Sequence, residues 1–271
     1  MSLTAEAIQK LAEQALAAAG HDMPKVQGIE HLAVLPAGMN LHNIEAYLPG
    51  RIAFRGTLST SQPEEFAAYV KEHGGMVFID GNNVSANAIF DLGTVEQPGH
   101  CRHQARLSLS KASAYLGLLS INERELSQIN LSDWLEDWRD NLIALTPAGE
   151  QMHISQAVKA VRTVTIESVT KLNSNVHETG SSRSAFEEIE AKSEVGLPHG
   201  FTFTCAPYDG LPHRTFSVRL NVITGGQRPT FKPRIVQLEA HEEAIVNDFK
   251  ALVSTAVGKK ATVIVGTFDP R

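Results

Sequence analysis

The chain has 271 residues, 42% hydrophobic and 20% charged, and its 30 acidic and 24 basic side chains leave a formal net charge of −6. That balance excludes a disordered polymer and a protein that gathers on nucleic acid by bulk charge alone. No apolar run approaches the roughly 18 residues needed to span a bilayer, and Cys101 and Cys205 are too few for a disulfide framework and form no C-x-x-C motif.

Behind Met1 the stretch Ser2 to Glu6 is polar and acidic where a signal peptide would be basic, so the expectation is a soluble cytoplasmic protein with no membrane association. Ile8, Leu11, Ala12, Ala15 and Leu16 then fall on one stripe at helical spacing, with Ser2 or Thr4 as cap and Gly20 as stop. A short helix with one apolar stripe is marginal alone, so this one must dock on its own core or on a second subunit. His21 to Gln27 reads as a linker, and from Gly28 short apolar runs between Gly, Pro and Asn read as strands and turns.

A helix is expected between Ser61 and Gly74, with Pro63 in its first turn and Phe66, Tyr69 and Val70 on one face. Met76 to Asp80 and Val84 to Leu92 flank Gly81, Asn82 and Asn83, a hairpin with left-handed turn residues. Gln104 to Ser110 alternates as a half-buried strand. The following helix carries Leu131, Trp134, Leu135, Trp138 and Leu142 on one stripe, both tryptophans serving as core or interface anchors. Gln151 to Val161 reads as helix and Val164 to Val176 as extended. Phe201 to Cys205 and Thr215 to Val222 read as paired strands, Glu239 to Val257 as a helix with Ile245, Phe249, Leu252 and Val253 inward, and Ala261 to Phe268 as a closing strand.

These elements give an α+β fold class, mixed and mostly antiparallel sheets with several amphipathic helices. The expected division is an N-terminal helix over residues 1–20, an α+β half over 28–150 and a strand-rich half with one helix over 151–271.

Three local patterns carry groups suited to chemistry. His100, Cys101 and His103 are zinc-type ligands within four residues, but side chains alternate across a strand beginning near Gln104, so structural roles are preferred and no metal is expected. The carboxylates from Asp133 to Asp140 alternate with the tryptophan stripe as a solvated face does. Gly225 and Gly226 precede Arg228, Lys232 and Arg234 without a phosphate-loop pattern, which suits a hairpin on a basic strand pair. No G-x-S-x-G is present, so no catalytic residue or cofactor is assigned, and enzymatic activity is not expected.

Two surfaces remain. Arg214, Arg219, Arg228, Lys232 and Arg234, interleaved with Phe201, Phe203, Phe216 and Phe231, are the candidate contacts for single-stranded nucleic acid. Ile8, Leu11, Leu16, Trp134 and Trp138 are the candidate contacts of a homo-oligomer, and the acidic Glu123 to Glu150 and basic Phe201 to Arg234 segments add complementary charge.

Three stretches carry a family resemblance: F-R-G-T-L-S-T with the helix E-F-A-A-Y-V between Phe54 and Val70, P-G-H-C-R-H-Q-A-R-L-S-L from Pro98 to Leu109, and L-S-Q-I-N-L-S-D-W-L-E-D-W from Leu126 to Trp138. With the strand-rich part from Leu197, the chain from about Arg51 resembles the YfdQ-like proteins of prophages and temperate phages. The resemblance implies a phage or prophage setting in a bacterial host cell and carries over no catalytic residue. A non-enzymatic phage accessory protein acting as a homo-oligomer is the leading expectation, and a single-strand-binding accessory of phage recombination or replication is the alternative.

Overall fold

The computed structural model describes residues 4–19, 49–51, 53–164, 196–223 and 228–270. The linker expected over His21 to Gln27, the turn-rich stretch from Gly28, the extended stretch beyond Val164 and the Gly225–Gly226 pair lie outside them. The chain divides into two compact units, Met1–Phe54 and Arg55–Arg271.

In the first unit the described element is helix α1 (Ala5–Ala19). Thr4 begins it: the Thr4 hydroxyl accepts from the Ala7 N–H at 3.4 Å and the Thr4 carbonyl from the Ile8 N–H at 3.1 Å. A Thr at this place satisfies donors that the first turn would otherwise leave open.

The second unit is α+β, with two five-stranded sheets among the described residues. The first contains β1 (Gly56–Thr60), β2 (Met76–Asp80), β3 (Ser85–Ile89), β4 (His103–Ser108) and β10 (Thr262–Val265), in the order β1-β4-β3-β2-β10. It is mixed: β1 runs parallel to β4 and β10 parallel to β2, while β3 is antiparallel to both of its neighbours. The second contains β5 (Leu142–Leu145), β6 (Gln151–Met152), β7 (Gly200–Cys205), β8 (Arg214–Ile223) and β9 (Thr230–Ile235), antiparallel throughout in the order β6-β5-β7-β8-β9.

Helix α2 (Pro63–His73) buries Phe66, Ala67 and Val70 against β1, β4 and the long C-terminal helix α6 (Leu238–Val257). Gly74 stops α2 with φ +75°, where a side chain would be strained. The second sheet is covered on one face by α3 (Ser113–Ile121), α4 (Gln128–Asp137) and α5 (Ile154–Thr163). Phe201, Phe203, Phe216 and Phe231 all point to that covered face and are buried.

The hairpin expected around Gly81 forms, with Asp80 opposite Ser85, but its left-handed residue is Val84 at φ +48° and none of Gly81, Asn82 or Asn83. The Asp80 carboxylate explains this, because it accepts from the backbone N–H of Asn82 and Asn83 and from the Asn83 side chain. The turn is wound tightly ahead of Val84, whose burial in the core holds an unfavourable backbone conformation.

The tryptophan helix is shorter than its apolar stripe suggested. It ends at Asp137, Arg139 to Asn141 form a turn, and Leu142 opens β5 instead of extending the helix. Helix α3 was not anticipated, because Ser113 to Ile121 is apolar on nearly every side and so lacks a helical period.

Candidate functional site

Strands β8 and β9 position the basic side chains. Alternation sends Phe216, Val218 and Leu220 inward and leaves Thr215, Ser217, Arg219 and Asn221 exposed on the outer face. The register sets Arg219 opposite Arg234 and Asn221 opposite Lys232. Arg219, Lys232 and Arg234 are thereby gathered on one patch, and none of them forms an ion pair among the described residues. Beyond them, Thr202, Thr204, Thr215 and Ser217 add hydroxyls to the same face, with the Thr204 and Thr215 oxygens 2.9 Å apart.

The other two bases stand apart. Arg228 is exposed just ahead of β9. Arg214 shares the parity of Phe216 and points inward, where its guanidinium meets Asp248 of α6 at 2.6 Å and its Nε is buried with no partner among the described residues. Arg214 is a tie between the second sheet and α6. The four phenylalanines lie across the sheet from Arg219 and Arg234, so no ring of theirs accompanies the basic patch.

Of the apolar candidates, Ile8 and Leu11 on α1 are 55% and 54% exposed. The side chain of Leu16 lies outside the described residues. Trp134 is only 9% exposed; its indole lies over Phe201 and Phe203 and donates to the Gly117 carbonyl at 3.0 Å. Trp138 meets Phe203 edge-on and is partly buried against the same core. Both tryptophans are therefore engaged within their own chain.

The His100–His103 segment leads from a loop into β4. Asp91 organises it by accepting from the backbone N–H of Arg102 and His103, each at 2.9 Å, while Cys101 adopts φ +53°. His103 is 9% exposed, hydrogen-bonds the Tyr69 hydroxyl through Nε2 at 2.9 Å and touches the rings of His73 and Phe90. Burial, aided by His73 and opposed by Asp91, lowers its pKa. The Cys101 thiol is pushed up by burial and then by Asp91, and the buried Cys205 thiol reaches about 11. Thiols so placed hold little thiolate at neutral pH and are poor nucleophiles. Among the described residues no group of three His, Cys, Asp or Glu side chains is placed to hold a metal ion.

A feature that the sequence did not reveal is a cleft of about 970 Å³ where the ends of β2 and β10 meet α6 and the start of α3. Tyr115 and Tyr208 wall one part, and Glu239, Glu242 and Glu243 line another. The acids recur at i, i+3 and i+4 in the first turns of α6, which was the available signal; that Tyr115 and Tyr208 would face them depends on the tertiary fold.

Among the described residues no helix is long and apolar enough to cross a membrane. The family model described as uncharacterized conserved protein (DUF2303) matches residues 4–268. No curated protein and no solved structure matches the chain.

Proposed function

Because the chain belongs to the DUF2303 family of conserved proteins, with a matched region that includes both sheets, we propose that its outer basic face binds the phosphate backbone of single-stranded nucleic acid, as an accessory of phage recombination or replication. The observation that carries this reading is the cation patch of Arg219, Lys232 and Arg234 on an exposed sheet face, none of them in an ion pair among the described residues. Like charges placed directly opposite each other oppose folding, and an anionic ligand relieves the repulsion. With Phe201, Phe203, Phe216 and Phe231 on the opposite face, affinity comes from phosphate contacts and carries little base preference. The phage or prophage setting rests on the YfdQ-like resemblance of the sequence.

Fluorescence anisotropy of a labelled oligothymidylate at increasing salt tests it. Three neutralised phosphates give a slope of log K against log salt of about −2. Absence of binding at low salt would remove the proposal.

A second reading, a non-enzymatic homo-oligomer, draws on Ile8 and Leu11, two exposed large side chains one turn apart on α1. Apolar neighbours of this kind favour a covered helix face. Light scattering of the wild type and of an Ile8→Glu, Leu11→Glu variant decides: a drop in mass supports the reading, and an equal monomeric mass rejects it.

A further inference from the structure

The cleft beside α6 is independent of the basic patch and opposite to it in charge. Asp80, Glu239, Glu242 and Glu243 bring four carboxylates to its lining against the two ammonium groups of Lys111 and Lys250. None of the three glutamates is in an ion pair among the described residues. Asp80 is committed to the β2–β3 turn, so the glutamates are the carboxylates open to a ligand.

Tyr115 supplies the independent observation. Its residue is 2% exposed, yet it lines the cleft, and its hydroxyl neither donates to nor accepts from any described residue. That hydroxyl is not among the fully enclosed polar atoms without a partner, so it keeps some contact with solvent, and its residue lines the cleft. The ring is fixed by stacking on Phe216 at 5.4 Å and by Tyr208 at 6.3 Å. Burial, Glu242 and Tyr208 push the Tyr115 pKa up to about 12, so the group remains a donor at neutral pH.

A partnerless donor on a rigid ring, an adjoining tyrosine face and unpaired carboxylates together specify a ligand with a cation and a nearby oxygen acceptor. We infer that this cleft binds the cationic end of a basic amino acid or basic peptide, its guanidinium or ammonium group held by Glu239, Glu242 and Tyr208 and its carbonyl oxygen accepting from Tyr115.

Calorimetric titration of the full chain at low ionic strength, with arginine amide and with spermidine as probes, tests the assignment. Spermidine has the charge but lacks the acceptor. Arginine amide should saturate one site per chain, and Glu242→Gln should weaken both probes about fivefold, as expected for a lost charge-assisted contact. Tyr115→Phe should weaken arginine amide roughly threefold and leave spermidine unchanged. Glu239→Gln, at an exposed position, gives the same reading as Glu242→Gln if Tyr115→Phe fails to fold. The inference is overturned if arginine amide does not saturate, if neither glutamate variant weakens it, or if Tyr115→Phe leaves it unchanged or weakens both probes equally.

Discussion

Arg219 and Arg234 stand directly opposite each other across β8 and β9, two guanidiniums at one rung of the ladder with no carboxylate among the described residues paired to either. Such a rung is tolerated because both side chains are long and solvated, but it opposes folding.

Replacing both by threonine should therefore stabilise the protein by roughly 0.2–1 kcal/mol, since the repulsion is lost and a good strand former is gained. Urea denaturation measures this. The same variant should lose most of its affinity for oligothymidylate at low salt, so that stability and binding move in opposite directions.

Trp134 gives a prediction of the other sign. Its indole covers Phe201 and Phe203 and its N–H is bonded to the Gly117 carbonyl. Trp134→Ala should cost about 3–5 kcal/mol, and Trp134→Phe less, because the rings stay covered and only the hydrogen bond is lost. The thermal midpoints should rank wild type, Phe and Ala in that order.

Gly117 is constrained by the same cluster. A Cβ there would lie 2.5 Å from the Trp138 ring, in the middle of α3. Alanine favours a helix interior over glycine, yet Gly117→Ala should destabilise by about 1–3 kcal/mol, because overpacking outweighs propensity. A rise in the denaturation midpoint would refute this.

Stability should also fall on acidification. Burial, then His73, depresses His103, and burial, then Arg214, depresses His241. With both folded-state values below the ordinary 6.5, the unfolded chain takes up protons first, so stability is full above that value and declines as pH falls through the folded values. Urea midpoints at pH 7.5 and 5.5 should differ in that direction, and His103→Gln should reduce the difference.

The sequence shows the elements whose apolar spacing is regular. Thr4, Pro63 and Gly74 mark helix limits, and the alternation around Phe216 marks β8. Helix α3 escaped because apolar residues on every side erase the period, and Leu142 misled because a turn at Arg139 to Asn141 returned it to helix-like spacing. The place of Arg214 is legible in the alternation: counting by twos from Phe216 puts it inward, away from Arg219. The acidic cleft depends on α6, the β2–β3 turn and Tyr115 meeting, and no local pattern encodes such a meeting.

The parallel pairing of β10 with β2 has a bearing on biosynthesis. While the polypeptide is being made, β2 leaves the ribosome long before β10, and the edge carrying Val77 and Ile79 has no native neighbour on that side. An unpaired apolar edge invites intermolecular strand addition. Nascent material truncated ahead of Thr262 should therefore aggregate more readily than the finished chain.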